Sequence, residues 1–144
     1  MKNLSVLVVI LLLSIKSAFS QSTDAVLGMW LNEEKDVKVF VYKTSDKYFG
    51  KIIWLKEPTE ADGKTPKMDV KNSTPALRDR PIQNMVILSK FVYKDGEWVD
   101  GEIYDPKSGK TYRATMKLKG NTLQLRGYVG LAAFGRTTEW TRSN

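Results

Sequence analysis

Thr111-Tyr112-Arg113-Ala114-Thr115-Met116-Lys117-Leu118-Lys119 decides the fold class. Tyr112, Ala114, Met116 and Leu118 fall on one face, and Thr111, Arg113, Thr115, Lys117 and Lys119 fall on the other. That period of two belongs to a strand with one face buried and one face wet, since a helix would bring its apolar residues round every 3.6 positions. The same alternation sets Val37, Val39 and Val41 against Lys38, Phe40 and Tyr42. It also sets Leu123 and Leu125 against Thr122, Gln124 and Arg126. Turn-forming pairs separate the runs at Ser45-Asp46, Asp95-Gly96, Ser108-Gly109 and Gly120-Asn121, as antiparallel hairpins require.

Strands are accordingly expected near 26 to 32, 36 to 43, 47 to 56, 83 to 93, 97 to 104, 110 to 119, 122 to 129 and 135 to 142. Internal repeats, low-complexity tracts and linkers are not seen in the sequence. About eight strands in so short a chain leave sheet edges exposed unless the sheet closes on itself, so the expectation is one all-β antiparallel barrel. A barrel of this size is either filled by side chains or holds one small ligand. The four tryptophans and six tyrosines suit either outcome.

One long insertion interrupts the meander from Glu57 to Asn72, with Pro58, Asp62-Gly63 and Pro66. Ser73-Thr74-Pro75 supplies a cap and first-turn proline for a short helical turn, which Pro81 ends. Connections of this length inside a small domain are functional or disordered, and the segment 57 to 81 is the candidate gate.

Ahead of the strands, Lys2 precedes the apolar run Val6 to Leu13, and Ala18-Phe19-Ser20 matches a small-x-small cleavage site. Residues 1 to 20 read as a signal peptide, with the mature domain, 21 to 144, beginning at Gln21 and located in a periplasm or outside the cell. The apolar run is too short to span a hydrocarbon core, so no permanent membrane span is expected. A lipid anchor at the processing site would need cysteine, and the chain has none. Cleavage removes Lys2 and Lys16 and no acid, taking the net charge from +7 to +5. The remaining charges are scattered among acids, which argues for a solvated surface and against a nucleic-acid partner.

The chain contains neither cysteine nor histidine. Thiol nucleophiles, histidine bases, imidazole metal sites and disulfides are therefore excluded, and no cofactor or metal is expected. Carboxylate, lysine, tyrosine and hydroxyl chemistry remains.

Gly28-Met29-Trp30 opens the first strand and Trp140-Thr141-Arg142 closes the last. This pairing resembles the lipocalin-like, or calycin, superfamily. More specific is the order Tyr48-Phe49-Gly50-Lys51-Ile52, Asp69-Val70-Lys71-Asn72, Leu77-Arg78-Asp79-Arg80-Pro81, Gly101-Glu102-Ile103-Tyr104-Asp105-Pro106, Arg126-Gly127-Tyr128 and Gly135-Arg136-Thr137. Together these resemble an exported bacterial family catalogued as domain of unknown function 2147. The resemblance covers nearly the whole mature chain and implies a signal peptide followed by a small lipocalin-like barrel. It also implies structural roles for Gly28, Trp30, Trp140 and Arg142, with a first-strand tryptophan packed beneath a cation from the final strand.

The candidate ligand-binding residues are Asp69, Asn72, Arg78, Arg80, Tyr104, Asp105, Arg126 and Arg136. Around the insertion, Arg78 and Arg80 offer planar forks to an anion beside Asp69 and Asn72. Alternatively Asp69 and Asn72 bond turn backbone, and the arginines pair with Asp79 and other surface acids. Asp105-Pro106 reads first as a turn, while Tyr104 has an ambiguous face. Arg126 alternates outward unless Gly127 introduces a bulge, and Arg136 follows the apolar turn Leu131-Ala132-Ala133-Phe134.

Three functions follow. The first is a non-enzymatic barrel binding a small hydrophobic, amphiphilic or anionic ligand, which requires an internal cavity open at one mouth. The second is a filled domain that contacts an envelope component through its outer surface, for which Leu131 to Phe134 is the candidate patch. The third is a hydrolase or isomerase using Asp, Glu or Tyr, which requires two such groups within reach of one substrate atom.

Overall fold

The computed structural model describes residues 22–144, so the expected leader and its cleavage point lie outside the described residues. Eight antiparallel strands follow one another round a closed barrel in chain order. They are β1 (Gly28–Leu31), β2 (Val37–Thr44), β3 (Lys47–Leu55), β4 (Val86–Lys94), β5 (Glu97–Asp105), β6 (Lys110–Lys119), β7 (Thr122–Tyr128) and β8 (Arg136–Arg142). All eight fall within three residues of the expected bounds. Along β6 the alternation holds as read: Ala114 and Met116 are buried, while Thr111, Arg113 and Lys117 are exposed.

Because neighbours run antiparallel, the connections fall alternately at the two ends. The tight turns after β2, β4 and β6 gather at one end. The β1–β2 loop, the long insertion after β3, the β5–β6 turn and the β7–β8 connection gather at the other. Trp30, Trp98, Tyr48, Phe91, Leu88, Met116 and Leu123 are fully buried in the core.

The first end is plugged by the segment before β1. Val26 is fully buried. The Trp30 indole donates to the Val26 carbonyl at 2.8 Å, the Tyr48 hydroxyl to the Thr23 carbonyl at 2.8 Å, and the Trp98 indole to the same carbonyl at 3.2 Å. Three buried polar aromatic tips thus find their partners in backbone that would otherwise be left without a sheet. Arg142 completes the seal. Its guanidinium lies 4.0 Å from the Trp30 ring centroid and donates to the Leu27 carbonyl at 2.6 Å and the Ala25 carbonyl at 2.7 Å. Gly28, at φ 115, leaves room for it, since a Cβ there would sit 3.1 Å from the Arg142 Nη1.

Three details differ from the sequence expectation. The helical turn is a 3-10 turn over Pro75–Leu77, and Thr74 makes no side-chain cap. A second 3-10 turn occupies Ala132–Phe134. In β5 the register with β6 slips between Trp98 and Gly101, where Asp100 has φ 58, and this bulge inverts the alternation beyond it.

Arg142→Ala is expected to lower the unfolding free energy by about 2 to 4 kcal/mol, from two lost charge-assisted hydrogen bonds and one cation-π contact. Urea titration followed by tryptophan fluorescence measures it. A loss below about 0.5 kcal/mol would show that the seal contributes little.

Candidate functional site

Above the packed half, the barrel opens into a cavity of about 730 Å³ at the end opposite the plug. Val39, Ile52, Ile87, Ile103 and Trp140 form its apolar lining, each from a different strand. A side lobe of about 300 Å³ continues between Ile103, Tyr112, Leu125 and Thr138. The volume lies in the range of small-molecule pockets.

Polar residues occupy the rim. In the β1–β2 loop, the Asn32 carboxamide accepts from the Asp36 and Val37 backbone and donates to the Asp36 carboxylate at 2.7 Å. Lys107, from the β5–β6 turn, reaches Asp36 at 3.2 Å. These two connections lie four strands apart round the barrel, so the ion pair straps opposite sides of the opening. Burial pushes the Asp36 carboxyl up, but Asn32 and Lys107 outweigh it and the group lies below its ordinary value. A second rim pair joins Lys67 to Glu57 at 3.4 Å. Arg136 borders both the cavity and its side lobe, and among the described residues it makes no ion pair.

The insertion borders the cavity through Glu57 and Lys67 and is tied to the barrel by a buried carboxylate. Asp69 has 0% exposure, yet it is a carboxylate in the interior. It accepts from the Tyr104 hydroxyl at 2.5 Å, the Asn72 amide at 2.8 Å and the Arg80 guanidinium at 3.0 Å. Burial raises its pKa, and the three donors together overcome this and hold the group below the usual carboxylate value. Tyr104 responds oppositely. Burial first, then the hydrogen bond it donates to Asp69 and that group's charge, push its phenol up to about 12. The insertion also packs on the β5–β6 turn, where a Cβ on Gly109 would collide with the Lys71 carbonyl.

The eight candidate residues therefore separate into three groups. Tyr104, Asp105 and Arg136 border the cavity. Asp69, Asn72, Arg78 and Arg80 hold the insertion together: Arg80 pairs with Asp69, and Arg78 donates to the Asn72 carbonyl at 2.8 Å, so neither arginine forms the expected pair with Asp79. Asp105 also serves its turn, accepting from the Lys107 backbone and the Ser108 hydroxyl. Arg126 stands apart. The β6–β7 and β7–β8 registers run without a slip past Gly127, so no bulge redirects Arg126 and it stays on the outer wall. There it donates to the carbonyls of Ala132 and Ala133 and to the Thr137 hydroxyl.

Asn32, Asp36, Lys107 and Thr138 were not among the candidates. Thr138 was readable, because it shares parity with Trp140 one step nearer the mouth. The strap was not, because residues 36 and 107 meet only once the barrel closes.

The family model described as "Uncharacterized protein conserved in bacteria (DUF2147)" matches residues 28–142. Among solved structures, the chain is similar to HP1028 of the human pathogen Helicobacter pylori, whose title assigns that protein to the lipocalin family. The identity is 25%, the TM-score is 0.71, and 82% of each chain is covered. No curated protein matches.

A carboxyl whose folded pKa is depressed contributes stability that is present above its unfolded value, about 3.9, and is lost as pH falls through the folded value. Asp24, Asp36 and Asp62 also lie low and share the acid limb. Asp69→Asn is expected to cost about 2 to 4 kcal/mol at pH 7, by setting an amide donor in a buried site where Tyr104, Asn72 and Arg80 all donate, and to flatten the loss below about pH 4. Urea midpoints measured from pH 7 to pH 3 decide it. An Asn variant that keeps both the neutral stability and the full acid slope would remove Asp69 from this role.

Proposed function

Because the chain belongs to the bacterial family DUF2147 and folds as a lipocalin-like barrel, we propose that it is an exported, non-enzymatic binder of a small ligand with an apolar body. One observation carries this reading: aromatic side chains fill one half of the barrel and leave the other half open, with Val39, Ile52, Ile87, Ile103 and Trp140 facing the space. An apolar molecule seated there trades water for these side chains. Export rests on the leader pattern at residues 1 to 20.

The rim bears on the ligand's polar end. Asp36 and Glu57 are matched by Lys107 and Lys67. Of the other charged residues on the lining, Glu34 and Asp105 are hydrogen-bonded within their own loops, while Lys56 and Arg136 make no ion pair among the described residues, and Arg136 offers a planar fork to a carboxylate or phosphate. An amphiphile with its tail on Trp140 and its head at Arg136 uses both features. The strap of Lys107 on Asp36 is an exposed pair worth about 1 kcal/mol or less, so it hinders entry only weakly.

Asp69 and Tyr104 form the carboxylate and phenol that a hydrolase or isomerase would need, but their disposition favours a structural role. Asp69 has no exposed surface, and Tyr104 keeps its proton and spends it on Asp69. A general base must be free to receive a substrate proton.

N-phenylnaphthylamine, an apolar fluorophore, is expected to bind the wild-type chain at micromolar concentration. Ile87→Trp should weaken it at least about tenfold by filling the cavity, with urea stability kept within about 1 kcal/mol. Dodecanoate should compete, and Arg136→Gln should weaken dodecanoate several-fold while leaving the neutral fluorophore unchanged. A wild-type barrel that takes up neither molecule sinks the proposal.

A further inference from the structure

The β7–β8 connection exposes three large apolar side chains within six residues: Val129 at 74%, Leu131 at 68% and Phe134 at 83%. Single exposed apolar residues are ordinary, but a cluster at one tip is a contact surface. From this tip we infer a membrane-docking device that seats the mouth of the barrel on an anionic lipid bilayer.

Two observations select lipid as the occupant. The first is the state of the tip's backbone. A loop entering the acyl boundary must carry its polar groups already bonded, because no water is there to receive them. Here the Phe134 N–H donates to the Leu131 carbonyl at 3.1 Å and the Gly135 N–H to the Ala132 carbonyl at 3.1 Å. Arg126 then donates from the outer wall to the carbonyls of both Ala132 and Ala133.

The second is charge. Arg126 and Arg136 flank the tip at the level where headgroups would lie, and from Gly120 to the end of the chain Glu139 is the single acid. Glu139 is hydrogen-bonded by Gln124, its backbone N–H donates to Glu33 from the β1–β2 loop, and Glu34 and Asp105 border the cavity with Arg136, so the acids on this side lie toward the β1–β2 and β5–β6 connections and none lies within the tip itself. Apolar residues at the tip with cations just behind them match the layering of an anionic interface. The tip adjoins the cavity, because Arg136 borders both.

The absence of cysteine permits a direct test in the chain recovered after export and leader removal. Phe134→Cys at the tip and Asp46→Cys in the exposed β2–β3 turn, at the opposite end of the barrel, are each labelled with the environment-sensitive fluorophore NBD. With vesicles of phosphatidylcholine and phosphatidylglycerol at 7:3, the label at 134 should shift to the blue and brighten several-fold, while the label at 46 should not. Pure phosphatidylcholine vesicles should bind about tenfold more weakly. Leu131→Ser with Phe134→Ser should reduce co-sedimentation with the anionic vesicles about tenfold. Both side chains are exposed, so the thermal midpoint of that variant should match the wild type.

A shift at 46 instead of 134 would show attachment by the other end and overturn the inference. So would a shift at 134 that grows with protein concentration in the absence of vesicles, because the tip would then be covered by a second copy of the chain. Failure of the chain to sediment with either vesicle overturns it as well. Each result is independent of N-phenylnaphthylamine uptake by the cavity.

Discussion

The barrel closes through a seam of two residue pairs, Trp30 with Arg142 and Leu31 with Thr141, and a seam that short needs reinforcement. Every other neighbouring pair of strands shares a longer ladder. Arg142 supplies the reinforcement by bonding two carbonyls ahead of β1 while lying on the ring of Trp30. Burial of the guanidinium lowers its pKa, a sign that desolvation is a real cost offset by these contacts. Were the seam to part, β1 and β8 would become free edges, and the wall carrying Trp140 and Thr138 would lose its place beside Val39.

That closure also explains why the interior is uneven. Indole and phenol side chains need a hydrogen-bond partner when buried, and the plug offers carbonyls at one end only. Trp30, Trp98 and Tyr48 are therefore drawn to the plugged end and fill it. Toward the mouth the inward positions carry Val39, Ile52, Ile87 and Ile103, which need no partner and are too small to meet across the barrel. The cavity lies where most inward side chains are short, with Trp140 and Tyr104 the rings on its lining, and the insertion, tied down through Asp69, borders one side of it.

The period-two runs, the hairpin turns and the eight strands were legible in the sequence because each depends on neighbours in the chain. The site was legible only in part, for reasons that can be named residue by residue. Tyr104 had an ambiguous face because alternation was counted through Asp100, where a bulge adds one residue and turns Ile103 inward instead. Asp69 read as a rim carboxylate or a turn residue, since nothing near it in the chain announces that Tyr104, on another strand, will supply a proton donor and bury it. Arg126 was correctly directed outward by alternation. Its partners, Ala132 and Ala133, are backbone carbonyls, which no side-chain pattern can disclose.

The two ends of the barrel follow opposite rules for polar groups. At the plugged end, side chains satisfy backbone so that the interior can be sealed, and the outcome is rigidity. At the mouth, Arg126 satisfies backbone so that apolar side chains can remain outside, and the outcome is a tip with no reason to fold inward. A molecule whose body belongs in an apolar cavity is poorly soluble in water by the same transfer free energy that seats it. Its route in or out is shortest where the opening itself lies against an apolar phase. The tip stands at the opening and not at the plug, and that placement links the exposed phenylalanine to the empty half of the core.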